Sequence, residues 1–318
     1  MKKLLATVGI MIFLFGAATG AFAAKKDVVK IGYLRIVMSI PTFVAQEKGF
    51  FAEQGLEVEL IPFNSGSAVT DALVAGRIDA NCGSSMTGHW FAAQAAPDSF
   101  KIFLALGVKP GKKDRSFVVV VKKDSPMQDL KDLKGKKVGT YPGATSVALA
   151  RAVIRTQIDP EEVIFTQVPP PNMVPALAAG QLDAFFTPEP SGMMAVSKGV
   201  GRYLMKGPLS LLNLKRGFPG MAFSFSKDFL EERPEDAKKV KAAMYKAVDY
   251  FRNHEQETRP YLMEYTGLPE EVAMNIPIDE FMKMDELDKQ AGQDYFDVLY
   301  KEGAYKQQLD TTKLYYEE

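Results

Sequence analysis

The pattern of apolar and polar positions along the chain contains one phrase twice. Ala72-Leu73-Val74-Ala75-Gly76-Arg77-Ile78-Asp79-Ala80 returns as Ala176-Leu177-Ala178-Ala179-Gly180-Gln181-Leu182-Asp183-Ala184. Each copy predicts the last turns of a helix, a glycine stop and a short buried strand. Glycine suits the stop because a left-handed residue after a helix carries no Cβ penalty there. The two glycines lie 180 − 76 = 104 residues apart, far beyond any solenoid period. The spacing therefore predicts two similar lobes and not an array.

The upstream sequence fits the same frame. Lys30-Ile31-Gly32-Tyr33 opens the first half and Lys137-Val138-Gly139-Thr140 the second. Between each opening and its repeat come a helical pattern, a second apolar run (58–61; 163–168) and another helix. Each half reads β-α-β-α-β, which predicts an α/β fold of mainly parallel sheets with crossover helices. Each repeat strand then enters a polar loop, Cys82-Gly83-Ser84-Ser85-Met86-Thr87 or Thr187-Pro188-Glu189-Pro190. Ligands of open α/β sheets bind at the carboxyl ends of strands, so two lobes with facing loops predict a cleft between them.

In chain order, 28–34 is a strand, Pro41 suits the first turn of a helix, and 57–61 is the second strand. Residues 64–67 cap the helix that ends at Gly76. The continuous apolar run 117–121 is a strand buried on both faces. The polar Gly/Pro stretch before it places a first crossing between lobes at 112–118, and a return falls within 217–225. The expected units are 24–115 with 222–318 for lobe 1, and 116–221 for lobe 2. Beyond Pro234 the chain is helical, with Val240, Ala243, Met244, Ala247, Val248 and Phe251 at i, i+3, i+4 spacing on one packing face.

Composition narrows the classes. Of 318 residues, 47% are hydrophobic and 25% charged, and the net charge is +0, with no basic stripe to suggest nucleic acid or anionic lipid as a partner. The single cysteine, Cys82, excludes an internal disulfide and reads as a small core residue. The two histidines, His89 and His254, have no metal-ligand spacing, so neither metal nor cofactor is expected. Residues 1–23 read as a secretory signal peptide: Lys2 and Lys3, an apolar core from 4 to 15, and Ala21-Phe22-Ala23 at the cleavage site. The mature chain would begin at Ala24 and be periplasmic.

The candidate chemistry lies in the loops. Tyr141-Pro142-Gly143-Ala144-Thr145-Ser146 turns a strand into a helix. Such a turn aims backbone N–H groups and the positive end of the helix dipole at one point, which suits a small anion or plain capping. It is not a P-loop, since no Gly-Lys-Ser/Thr follows. Ser84, Ser85 and Thr87 supply a second set of donors, and Asn64, Ser65, Gly66 and Ser67 a third. Arg35 could hold an anion in a bidentate contact or remain a solvated charge. Glu189, stiffened by flanking prolines, could accept N–H groups from a ligand or be an exposed loop carboxylate. No Gly-x-Ser-x-Gly elbow, His-Glu-x-x-His or nucleophile with an evident base is present, so no catalysis is expected.

The chain resembles the substrate-binding proteins of ABC importers, in the branch serving nitrate, aliphatic sulfonates, taurine and the pyrimidine precursor of thiamine. The resemblance rests on Lys30-Ile31-Gly32-Tyr33, Pro41, Ala45-Gln46-Glu47-Lys48-Gly49-Phe50-Phe51 and Gly55-Leu56-Glu57-Val58-Glu59. It extends to Ala75-Gly76-Arg77-Ile78-Asp79-Ala80 and Asp132-Leu133-Lys134-Gly135-Lys136-Lys137-Val138-Gly139. It implies a two-lobed type II periplasmic binding protein, a monomer that closes on a small solute and delivers it to a membrane permease. Ser39, Asn64 to Gly66, Ser84, Ser85, Gly143 to Ser146 and Glu189 carry over as ligand contacts. The family often has Trp or Tyr beside the glutamate, where this chain has prolines. A small organic anion or zwitterion is the expected solute. A heteroaromatic solute, a periplasmic sensor and a secreted hydrolase are the alternatives.

Overall fold

Every position of the doubled phrase has a physical task, and both copies perform it alike. In the computed structural model, which describes residues 28–317 and so leaves the expected leader outside the described residues, Gly76 (φ 63°) and Gly180 (φ 73°) follow the helices Gly66–Val74 and Pro170–Ala178. Ile78 and Leu182 then turn into the core. They pack over the glycine of the opening strand: a Cβ on Gly32 would lie 2.5 Å from Ile78 Cδ1, and one on Gly139 2.6 Å from Leu182 Cδ1. The carboxylates of Asp79 and Asp183 accept the backbone N–H of Lys30 and Lys137, both at 2.8 Å. Their own N–H groups donate to the carbonyls of the same lysines at 2.9 Å. The phrase thus ends a helix, fills the gap over a glycine and pins the start of a parallel pair.

Eleven strands result among the described residues: β1 (Val29–Leu34), β2 (Val58–Phe63), β3 (Ala80–Ser85), β4 (Phe100–Val108), β5 (Phe117–Lys122), β6 (Lys137–Thr140), β7 (Ile164–Gln167), β8 (Ala184–Pro188), β9 (Gly201–Lys206), β10 (Phe218–Ser226) and β11 (Glu280–Lys283). One sheet has the order β11-β4-β10-β3-β1-β2 and the other β7-β6-β8-β5-β9. The fold is α/β and two-lobed. Parallel pairing joins β2-β1-β3 and β7-β6-β8, the strands of the two β-α-β-α-β units. Each unit is completed by antiparallel strands, so both sheets are mixed. β10, which follows the second unit, lies between β3 and β4, while β5, which precedes that unit, lies between β8 and β9.

The chain passes between the sheets after Val108 and again before Phe218, and β10 already pairs with Val108 at Phe218. Strand pairing with β4 therefore starts at Phe218, at the beginning of the stretch 217–225 expected to hold the return. Three segments are tied together here. The Asp114 carboxylate accepts the N–H groups of Ser116 (3.0 Å), Phe117 (3.1 Å) and Leu209 (3.2 Å). Asp279, just before β11, accepts the Arg115 N–H at 3.0 Å and the Ser116 hydroxyl at 2.5 Å. Burial, and then the neighbouring Asp279, push the Asp114 carboxyl up to about 6.

Helices cover both sheets. Helix Pro234–Asn253 buries Val240, Ala243, Met244, Ala247, Val248 and Phe251, largely against helix Ile40–Glu47, as its i, i+3, i+4 stripe requires. Trp90 is fully buried and meets Tyr295, Phe296 and Tyr305 edge-on. Cys82 is buried too, and burial holds its thiol up at about 12, so it stays protonated.

Candidate functional site

A cavity of about 900 Å³ opens between the loops at the ends of β1, β3, β6 and β8. Among the helices whose N-termini reach it are Gly66–Val74, Met86–Ala95 and Ala144–Arg155. The first amides of each lack intrahelical partners, and the three dipoles add partial positive charge at one place. Arg35 is the cation on its wall, and Asp71 and Glu189 are the carboxylates.

The loop 141–146 faces the cleft as the helix start requires. Gly143 takes φ 124°, and its N–H donates to Gln167 Oε1 at 2.8 Å, which fixes the turn. Thr145 and Ser146 then present hydroxyls from the second lobe. Across the cleft, Ser85 caps helix Met86–Ala95 by accepting the Gly88 N–H, and its hydroxyl lies 2.5 Å from Thr87 Oγ1. Thr87 Oγ1 in turn donates to Thr145 Oγ1 at 3.5 Å. The two donor loops, 58 positions apart in sequence, thus meet at the cleft.

Of the residues singled out from sequence, Arg35, Gly66, Ser85, Thr87, Tyr141, Gly143, Ala144, Thr145, Ser146 and Glu189 all line this cavity. Ser39, Asn64, Ser65 and Ser84 are not among its lining residues. Ser39 is fully buried and donates to the Cys82 carbonyl at 3.1 Å. Ser65 is exposed and accepts the Ala68 N–H as a helix cap, and Asn64 is exposed beside it. Ser84 is turned inward, where Asn81 Nδ2 donates to it at 2.7 Å and Thr70 Oγ1 lies at 3.3 Å. Below it His89 places Nε2 2.7 Å from Ser224 Oγ and Nδ1 3.0 Å from the Ser85 carbonyl. Burial pulls the His89 pKa down to about 4, so the ring is neutral at pH 7. This polar network sets the β3 loop from beneath.

Glu189 lines the cavity but is not the exposed loop carboxylate of one of its two readings. It is buried, with Oε1 accepting the Tyr203 hydroxyl at 2.7 Å and Oε2 the Met193 N–H at 2.9 Å. Tyr141 beside it has its hydroxyl 2.9 Å from Ser191 Oγ. Ser67, the last of the third donor set, also lines the cavity, and the residues that sequence reasoning missed are mostly apolar: Met38, Phe91, Met221 and Leu268, with Thr70 and Asp71. Phe91 is an exposed aromatic at helical spacing and carried a sequence signal; Met221 and Leu268 carried none, because tertiary packing brings them in. Among the described residues no cluster of His, Cys, Asp or Glu has the makings of a metal site.

Comparison with known proteins agrees with this architecture. A model of the NMT1-like family matches residues 23–266. The chain is 27% identical to a provisionally named aliphatic sulfonates-binding protein of Bacillus subtilis, over 98% of this chain and 93% of that one. It is 26% identical to the nitrate import ATP-binding protein NrtC of Synechocystis, where it spans only 40% of the relative's length against 81% of its own. Among solved structures, the periplasmic aliphatic sulphonate binding protein SsuA of Escherichia coli superimposes with a TM-score of 0.74 at 21% identity, covering 91% of this chain and 92% of that one.

Proposed function

The chain belongs to the NMT1-like family, and from that premise we propose that it is the solute-binding component of an ABC-type import system. In this reading it captures a small organic anion or zwitterion of sulfonate, taurine or carboxylate type between its lobes and hands it to a membrane permease. The exported chain begins at Ala24 and acts as a monomer, binding without catalysis. The single observation that carries the reading is the meeting of hydroxyl donors from both lobes, Thr87 Oγ1 and Thr145 Oγ1, at helix N-termini on one cavity. Donors of that kind favour an anion. The names of the relatives support the same class.

Opening and closing then occur about the crossings near residues 115 and 220, with the solute bridging lobe 1 (24–115 and 222–318) and lobe 2 (116–221). Because Glu189 is already held by Tyr203 and Met193, its task in this reading is to fix the loop of β8, while the hydroxyls and Arg35 meet the anion. The test is a thermal-shift panel of sulfonates, taurine, nitrate, carboxylates and pyrimidines on the mature chain, followed by small-angle scattering with any ligand found. A ligand at 100 times its Kd stabilises by about 2.7 kcal/mol, and compaction is expected with it. Thr145→Ala combined with Ser146→Ala is expected to weaken that ligand by about 1–3 kcal/mol. Superimposable scattering curves, or unchanged affinity in the double variant, would overturn the reading and favour a sensor or hydrolase on the same fold.

A further inference from the structure

Behind the donor loops the cleft continues into a second, smaller cavity of about 230 Å³. The two share Ser85, Thr87, Thr145 and Ser146 as lining, so these hydroxyls stand at the junction between compartments. The inner walls are of another kind: Leu106, Phe117, Leu149, Phe186, Phe218 and Tyr295, drawn from both sheets, from helix Ala144–Arg155 and from the tail helix Lys289–Lys301. The wall also includes Gly107 and Gly220, which have no side chain to fill the space. Its acidic corner is self-satisfied, since the Ser116 hydroxyl donates to Asp279 at 2.5 Å and the Arg115 N–H to the same carboxylate at 3.0 Å. A ligand entering this recess meets mainly apolar and aromatic surface, with Tyr295 as the polar-tipped ring of the inner wall and the other hydroxyls at the junction.

We propose that the cognate ligand is an amphiphilic anion whose charged group sits among the junction hydroxyls and whose apolar body, a single substituted aromatic ring, fills the inner recess. This rests on the cleft being the solute site. Size supports it: a cavity of about 150 Å³ lined by Leu, Ile and Phe takes benzene, so this recess has room for a ring with one or two substituents. The walls support it too, because four aromatic side chains offer edge-to-face and offset contacts that a planar ring uses best. An inorganic anion of four atoms would engage the junction and leave the apolar walls facing water. A bound ring would touch β4, β5, β10 and both lobes' helices at once, next to the Asp114–Ser116–Asp279 crossing, so filling the recess and closing the cleft would be one event.

Calorimetric titration of the mature chain with 4-methylbenzenesulfonate and with methanesulfonate tests this, with scattering recorded for both. The expected result is at least tenfold tighter binding of the aromatic probe. Leu149→Phe, which fills the recess, should bring the two affinities within threefold of each other. Leu106→Phe, from the β4 wall of the recess, serves the same purpose if the first variant does not fold. Affinities within threefold in the unaltered protein, or a preference that survives both filling variants, overturn the recess proposal. If methanesulfonate nevertheless compacts the protein, the cleft reading stands without it. No binding and no compaction with either probe would overturn both.

Discussion

The two β-α-β-α-β units are alike where they fold and unlike where they face the cleft. Gly32, Ile78 and Asp79 in the first have Gly139, Leu182 and Asp183 as counterparts in the second, down to hydrogen bonds of equal length. After the third strand the likeness ends. The first unit turns on a buried Asn81–Ser84–His89–Ser224 network, whereas the second turns on Glu189 held by Tyr203 and Met193. Both devices do the same work, since each holds a strand-end loop from below, with hydroxyls above it on the cavity wall. What a lobe requires is the support; its chemistry is open to change.

The likeness can be broken first. Gly32→Val and Gly139→Val each drive a branched side chain into Ile78 or Leu182, and overpacking of this kind costs about 2–3 kcal/mol. Urea unfolding should give two losses within about 1 kcal/mol of each other; a large inequality would mean that the shared geometry is not shared energetically.

The difference is sharpened by pH. The pKa of His89 is near 4 in the folded chain against 6.5 when free, so its share of stability is full above pH 6.5 and is lost as pH falls towards 4. At pH 5 that loss is about 2 kcal/mol. His89→Gln should flatten this slope in unfolding midpoints recorded from pH 7 to 5, and an unchanged slope would remove His89 as its source. Asp114 acts with the opposite sign, because a carboxyl raised to about 6 contributes stability below its ordinary range that is lost as pH rises through 6. That share is common to both proteins and cancels in the difference between them.

Smaller effects follow at the pinned aspartates. Asp79→Ala and Asp183→Ala each free one lysine N–H, for about 1 kcal/mol. Asp79 also lies 3.7 Å from the Arg233 guanidinium, so its removal should cost slightly more in the same urea titrations. Smallest is Arg155→Ala. Arg155, at the end of the second unit's first helix, forks onto Glu302 at 2.7 and 2.9 Å; its own side chain is half exposed and Arg151 stays 3.6 Å from Glu302, so the loss should be under about 1 kcal/mol. Its loss should leave the unfolding midpoint nearly unchanged while making the free protein's scattering more open, because it joins a helix of the second unit to the tail.

Sequence by itself determined the repeated unit and most of the donors. Ala-Gly-x-Ile/Leu-Asp-Ala is readable because each of its residues acts locally, on a helix end or on the adjacent strand. The loop 141–146 is readable because a Gly-Ala-Thr-Ser turn into a helix declares its own N–H groups. Patterning also predicted parallel units without the antiparallel β4, β9 and β11 that complete the sheets. Phe100–Val108 is an apolar strand broken only by Lys101, and its partner, β10, arrives more than a hundred residues later. Only the tertiary structure decided which serines face the cavity, since Ser85 lines it while its neighbour Ser84 is bonded inward to Asn81 and Thr70. It alone joined Glu189 to Tyr203 and Met193, and it alone enclosed the apolar recess, whose walls come from strands and a tail helix far apart in the chain. Local propensity acts over a few residues; a cavity is what remains when distant segments have packed as closely as their side chains allow.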